Sequence, residues 1–173
     1  MCIRDSLSLT AAFFESEQTV ASKDDVTGED VDIKGLTVDG FEAELKGNLT
    51  DKFSLVAGFT AMDGETSSGG EPREIPDQML TLYGTYEISD KAGIAFGFTK
   101  QGESNIKNNK PDLILPSYTR FDMAAYYNIS DDLVLRFNVE NLTDELYFPH
   151  SHSTHQASVG EEKNVRVSIS KKF

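Results

Sequence analysis

Three histidines, His150, His152 and His155, fall within one short run, His150-Ser151-His152-Ser153-Thr154-His155. Neutral imidazole is a good ligand for zinc, copper or iron, so the run admits a metal or heme contact. It equally describes a polar surface loop, because no cysteine or close carboxylate set completes a cage. The sequence therefore implies neither a resident metal nor a cofactor. A second group joins charge to aromatic faces: Tyr147 and Phe148 precede the histidines, and Arg73, Lys107 and Lys110 lie in polar stretches upstream. Guanidinium, ammonium and ring faces together suit an anionic, aromatic ligand. The plainer readings are an interfacial aromatic pair and solvated loop charge. Asp24, Asp25, Glu29, Asp30 and Asp32 form an acidic run that could hold calcium, but they lack EF-hand spacing and read as a solvated loop. Serine, histidine and aspartate all occur, yet no nucleophile-elbow motif surrounds a serine, so no residue is assigned to catalysis. The Asn-x-Ser/Thr triplets at Asn48, Asn128 and Asn141 read as turn chemistry.

Composition narrows the setting. A net charge of -13 makes nucleic acid a poor partner. Cys2 is the single cysteine, which excludes an internal disulfide. Apolar runs are only a few residues long, so no transmembrane helix is expected. A mean hydropathy of -0.38 does not exclude a membrane barrel, in which only alternate strand residues face lipid. Residues 1–6, Met1-Cys2-Ile3-Arg4-Asp5-Ser6, lack a basic and apolar leader. They are expected to be a non-native scar before a single domain over 7–173; a genuine cytosolic start is the alternative.

The residues that could bind must be positioned by strands, and the turns between those strands repeat. Thr50-Asp51-Lys52, Ser89-Asp90-Lys91 and Ser130-Asp131-Asp132 each place a hydroxyl residue before Asp and a charge, and an apolar alternation follows at once. The other connections, about 19–36, 63–77, 102–117 and 143–162, are long and polar. Alternation of short and long connections is the pattern of an outer-membrane barrel, with short turns at the periplasm and long loops outside.

The strands alternate with a period of two. Leu7, Leu9, Ala11 and Phe13 open the first. Phe41, Ala43, Leu45 and Leu49 follow, then Phe53, Leu55, Ala57, Phe59 and Ala61, then Leu80, Leu82, Gly84, Tyr86 and Ile88. Ile94, Phe96 and Phe98 come next, then Phe121, Met123, Ala125, Tyr127 and Ile129, then Leu133, Leu135, Phe137 and Val139, and last Val165, Val167 and Ile169. From the second strand onward these faces carry no charge. The opposite faces hold Glu42, Glu44, Lys46, Glu87, Arg120, Asp122, Arg136, Glu140 and Arg166. A Lys or Arg facing lipid at mid-depth costs roughly 2–4 kcal/mol, whereas a wet lumen accepts charge. The fold class is therefore all-β: an antiparallel transmembrane β-barrel segment of about eight strands. An open edge has no partner in lipid, so the strands either close as a small eight-stranded barrel or belong to a larger one. A soluble β-sandwich is the third reading.

Several segments resemble TonB-dependent outer-membrane receptors of the siderophore type. Gly40-Phe41-Glu42-Ala43-Glu44-Leu45 resembles a "GFExEL" strand, and Pro72-Arg73-Glu74-Ile75-Pro76 the proline loop that follows. Pro116-Ser117-Tyr118 with Asp122 and Tyr126 resembles "PxYxxxDxxxxY", and Asn141-Leu142-Thr143-Asp144-Glu145-Leu146-Tyr147 resembles "NLxDxxY". Residues 164–173 resemble the closing strand. The resemblance implies a 22-stranded barrel whose C-terminal portion this is, with its plug domain and TonB box absent here. It implies TonB-energised uptake of a metal chelate, most often a ferric siderophore, with heme, cobalamin, nickel chelates and oligosaccharides as other cargoes. The partners implied are that chelate, the protein's own plug and TonB through it, outer-membrane lipid and lipopolysaccharide, and the barrel-assembly machinery. The last would read the terminal Phe173, although Lys171 stands where an aromatic residue is usual. The histidine loop then lies near the extracellular mouth. Glu42, Glu44, Arg120, Asp122, Arg136, Glu140 and Arg166 face the lumen or plug; interstrand charge ladders are the alternative role. A passive pore, surface-binding protein or outer-membrane enzyme built as a complete small barrel is the competing function.

Overall fold

The computed structural model describes residues 7–23 and 26–172. Expectations for residues 1–6, Asp24, Asp25 and Phe173 fall outside them. One antiparallel sheet runs, in order, through β1 (Ser8–Lys23), β2 (Asp30–Thr50), β3 (Phe53–Thr66), β4 (Gln78–Ser89), β5 (Ala92–Gln101), β8 (Tyr118–Ser130), β9 (Leu133–Glu140) and β12 (Asn164–Lys171). Two short pairs sit inside the long loops: β6 (Ser104–Asn105) with β7 (Ile114–Leu115), and β10 (His150–Ser153) with β11 (Gln156–Ser158).

The three repeated segments make the tight turns. Thr50 Oγ1 accepts from the amides of Lys52 (3.2 Å) and Phe53 (3.0 Å), and Ser89 Oγ from the Lys91 amide (3.3 Å). Ser130 Oγ donates to Asp132 Oδ1 at 2.6 Å. Each turn also accepts from the neighbouring hairpin: the amides of Glu87, Asn128 and Lys172 donate to the carbonyls of Lys52, Lys91 and Asp132.

Strand register joins the apolar faces into continuous rows. Leu9, Leu45, Ala57, Leu82, Phe98 and Phe121 form one row, and Gly47, Leu55, Gly84, Phe96, Met123, Val139 and Val165 the next. Apart from Val139, which is buried, their large side chains are open or half-open. Phe13 is 87% exposed, and Phe96, Phe121 and Phe137 are 40–43% exposed. A sandwich would enclose these rings. The shallow hollows of the sheet lie on the other face, lined by Glu42, Glu44 and Thr60, by Arg120, Asp122 and Glu140, and by Tyr83, Tyr126 and Arg136. The sheet is thus hollowed on its polar side.

Rows and turns are staggered. The row through Phe53 passes Tyr86 and Ile94, yet the next hairpin turns at Ser89 and Ala92, three and two residues further. The row through Ala92 passes Tyr127 and Leu135, and its hairpin turns at Ser130 and Leu133. A stagger of about 1–1.5 residues per strand, with about 3.3 Å per residue and about 4.8 Å between strands, inclines the strands by about 35–45°. Barrel strands tilt by that amount. Among the described residues, β1 and β12 are the two edges of the sheet and do not pair with each other.

Two expectations are corrected. The first long connection is not 19–36: β1 and β2 stay paired up to Lys23 and Asp30. β3 likewise runs on to Thr66, into the expected 63–77 connection. In the β2 extension Val31 and Ile33 alternate with Asp30, Asp32 and Lys34, beyond a register shift at Gln18/Thr19 that separates this short alternation from the one that starts at Phe41. The charge-free face also ends sooner than the strands. Glu15, Asp39 and Asp63 form the row beyond Phe13, Phe41 and Ala61, and Lys100 follows Phe98. Charge enters the apolar face from these rows outward, midway along β1 and β2 and near the ends of β3 and β5, where contact with water replaces contact with hydrocarbon.

Candidate functional site

The long loops gather at the end of the sheet opposite the tight turns, and each is tied down by particular side chains. Residues 141–163 leave β9 through Asn141, whose left-handed backbone (φ 50) is a conformation asparagine tolerates. Asn141 is 1% exposed. Its Nδ2 donates to the carbonyls of Glu145 (2.9 Å) and Glu161 (3.0 Å), its Oδ1 accepts from the Glu145 amide (2.9 Å), and its own amide donates to Asp122 Oδ1 (2.9 Å). Asp144, also left-handed (φ 57), accepts from the Lys163 amide at 2.9 Å. The loop's exit is thereby stapled to its entry.

Tyr147 completes this base. Its ring lies 4.6 Å from that of Tyr118, and its hydroxyl accepts from Arg120 Nη1 at 3.1 Å. Arg120 also grips Asp122 Oδ2 through Nε (3.2 Å) and Nη2 (3.0 Å). A Cβ on Gly160 would run into the Tyr147 ring, so glycine is the residue that fits there. In the Asn…Asp…Tyr spacing of this segment, Asn141 closes three bonds of the staple and Asp144 one, while Tyr147 ties the loop to Arg120.

Above the base, residues 67–77 and 102–117 interlock. Asn105 Nδ2 donates to Glu71 at 2.6 Å, the Arg73 amide to Asn108 Oδ1 at 2.8 Å, and Asn109 Nδ2 to Ser68 Oγ at 2.8 Å. Pro72 packs on Gly64 and is buried, as is Pro76. Between these prolines Glu74 adopts the left-handed conformation (φ 57), and its amide donates to the Asn105 carbonyl at 2.8 Å. Its carboxylate pairs with Arg73 Nη2 at 2.7 Å and accepts from the Ser151 amide at 3.0 Å. Partial burial opposes ionisation of Glu74, but the Arg73 hydrogen bond, the Ser151 amide and the charges of Arg73 and His150 outweigh it. Its carboxyl is held below the usual range.

The structure brings some candidates together and leaves others apart. Arg73 reaches the carbonyls of Ser151 and His152, both at 3.5 Å. His150 shares a 2.9 Å hydrogen bond with Ser158 Oγ. His150, His152, His155, Lys107 and Lys110 are exposed, and Phe148 is half-buried. Tyr147 differs from its companions: at 6% exposure, stacked and hydrogen-bonded, it supports the loop and offers little surface to a ligand. Among the described residues no group of three His, Cys, Asp or Glu side chains is arranged to hold a metal. Glu42, Glu44, Arg120, Asp122, Arg136, Glu140 and Arg166 share the hollow face, and Arg136 also donates to Ser170 Oγ at 3.2 Å. Sequence reasoning missed Glu74 and Asn105. Glu74 lay between two prolines in a motif already noticed, which was the available signal. Asn105 had none.

The comparisons agree with this geometry. A family model for the TonB dependent receptor-like β-barrel matches residues 4–142. A probable TonB-dependent siderophore receptor, PiuA of Acinetobacter baumannii, is 29% identical over 96% of this chain and 25% of its own length. The ferrioxamine B receptor of Salmonella typhimurium is 27% identical over 95% of this chain and 25% of its own length. The crystal structure of the Acinetobacter receptor superposes with a TM-score of 0.81 at 28% identity, covering 96% of this chain and 26% of that one. That of the Pseudomonas aeruginosa ferripyoverdine receptor bound to ferripyoverdine gives 0.80 at 27% identity, covering 96% and 25%. The chain thus spans about a quarter of the length of these relatives.

Proposed function

This chain belongs to the TonB-dependent receptor β-barrel family of the Gram-negative outer membrane, and we propose that it is a wall and mouth segment of a receptor that imports a ferric siderophore. The observation that carries the reading is the uncovered apolar face, continuous across eight strands and charged only at its ends. Such a face requires hydrocarbon beside it. Family membership and the names of the relatives, siderophore and ferrioxamine receptors among them, support the cargo.

In this reading the staggered sheet is an arc of a larger closed barrel, 22-stranded in such transporters, and its open edges pair with strands of the longer protein. The hollow polar face, with Glu42, Glu44, Arg120, Asp122, Arg136, Glu140 and Arg166, meets water and the plug that TonB pulls. The apolar face meets lipid, with lipopolysaccharide at its outer rim, and Phe173 is the mark read by the assembly machinery. At the mouth, Arg73, Lys107, Lys110, Phe148, His150, His152 and His155 contact the chelate, and Tyr147 holds their loop in place. Arg and Lys suit its anionic groups, and the ring and imidazoles suit its apolar faces.

The test uses the full-length parent in an iron-limited cell lacking its own receptors. Growth on at least one ferric siderophore, lost when TonB is removed, is the expected result. Growth on none of a panel of ferric siderophores, with TonB-dependent uptake of a nickel chelate or cobalamin by the same receptor, would overturn the cargo.

A further inference from the structure

We infer that Glu74 is a positioning residue that latches the β10–β11 hairpin, and with it His150 and His152, against the rest of the mouth. The inference rests on the receptor reading for its purpose, but on geometry for its content. Three loops meet at this residue. Glu74 belongs to 67–77, its amide donates to the Asn105 carbonyl in 102–117, and its Oε1 accepts from the Ser151 amide in 141–163. Ser151 is 1% exposed, so that amide has no access to water as an alternative acceptor.

The division of labour between the two carboxylate oxygens is specific. Oε2 takes Arg73 Nη2 at 2.7 Å and Nε at 3.3 Å, while Oε1 is left for Ser151. Held this way, the Arg73 fork also faces the carbonyls of Ser151 and His152 at 3.5 Å. One carboxylate thereby docks a hairpin distant in sequence directly, through its own oxygen, and indirectly, through the arginine it orients. The left-handed backbone (φ 57) is what turns the side chain towards the hairpin. A carboxylate used only for a local ion pair with its sequence neighbour needs neither the rare backbone nor the amide.

The interlock of 67–77 with 102–117 uses other atoms: Glu71, the Arg73 amide, Asn108, Asn109 and the backbone of Asn105 and Glu74. Removing the Glu74 side chain should therefore loosen one loop and spare the other. A residue that merely stabilises the cap would loosen both.

The experiment is hydrogen exchange read by mass spectrometry on the full-length receptor in detergent, with no ligand added. In Glu74→Ala, peptides covering 150–158 should exchange at least tenfold faster, and those covering 104–115 at the wild-type rate. In Glu74→Gln the amide oxygen still accepts from Ser151, so 150–158 should stay within threefold of wild type. Unchanged exchange at 150–158 in the alanine variant, or equal loosening of 104–115, would overturn the latch. No chelate enters this measurement, so its failure is distinct from the failure of growth rescue, which tests the receptor reading.

Discussion

The wall and the cap of this molecule are built on opposite principles. The wall is a ladder of backbone hydrogen bonds whose side chains matter by class: apolar on one face, polar on the other. The cap is held by individual side chains bonded to backbone at single points. Among the described residues, the buried polar ones are Thr37, Ser104, Asn105, Asn141 and Ser151, and all but Thr37 belong to the cap. The buried hydrophobic residues are three, Leu115 and Tyr147 in the cap and Val139 in the wall, because most of the wall's apolar side faces outward. Substitutions in the wall should therefore follow depth and polarity, whereas those in the cap should follow the bond that is lost.

The largest effect is expected where one cap residue serves most bonds. Asn141→Ala strips two donors and one acceptor from a fully buried site and leaves a left-handed backbone without the side chain that tolerates it. With roughly 1–3 kcal/mol for each buried group left unsatisfied, the loss should reach about 4 kcal/mol. Urea unfolding of the full-length receptor in detergent measures it, and a loss under 1 kcal/mol would mean that the staple is dispensable. The wall's counterpart is a pair of changes at different depth. Phe96→Lys puts charge in the middle of the apolar face and should cost roughly 2–4 kcal/mol in lipid vesicles, while Asp63→Lys, beyond the end of that face, should cost about 0–1 kcal/mol. Equal costs would show that depth does not govern the wall.

The same contrast explains what could be read in advance. The wall was legible because lipid imposes a period of two on every strand it touches, and the faces carrying Phe41, Phe96 and Phe137 followed from alternation alone. The tight turns were legible because Thr50 and Ser89 bond to backbone, and Ser130 to the Asp132 carboxylate, two or three residues away in sequence. The outer parts of β1 and β2 were not, because their alternation of Val31 and Ile33 with Asp30, Asp32 and Lys34 is short and set apart from the main face by a register shift at Gln18/Thr19. The cap was least legible. The partner of Glu74 is Ser151, of Asn141 Glu161, and of Thr66 Asn109; such bonds depend on how loops meet, and no local pattern specifies that. Tyr147 shows the limit, since an aromatic in a loop motif reads the same whether its ring is open to solvent or packed on Tyr118 and Gly160.

A smaller effect separates turn from ladder within the wall. Thr50→Ala removes the oxygen that accepts from Lys52 and Phe53 but leaves every ladder bond in place. A loss of about 0.5–1.5 kcal/mol is expected, the net worth of an exposed hydrogen bond, measured by the same urea titration. A loss as large as that of Asn141→Ala would erase the distinction between the two regions.

The smallest effect is local and depends on acid. Glu74 is ionised in the folded cap with its carboxyl held below the ordinary 4.5. A lowered carboxyl stabilises the fold at pH values above its unfolded value and ceases to do so as pH falls through the lowered one. Protonation then removes the charge that holds Arg73 and weakens the acceptor facing Ser151. Protection of the 150–158 amides should thus be constant from neutral pH down to about 4.5 and decline below it. The ladder amides of β3 and β4, which involve no carboxylate, should keep theirs over the same range. Exchange rates corrected for their intrinsic pH dependence distinguish the two, and in Glu74→Gln, where nothing at this position titrates, the decline should disappear. If the glutamine variant declines as wild type does, the acid response belongs to another group in the cap, and the contrast between a titrating cap and a non-titrating wall no longer runs through Glu74.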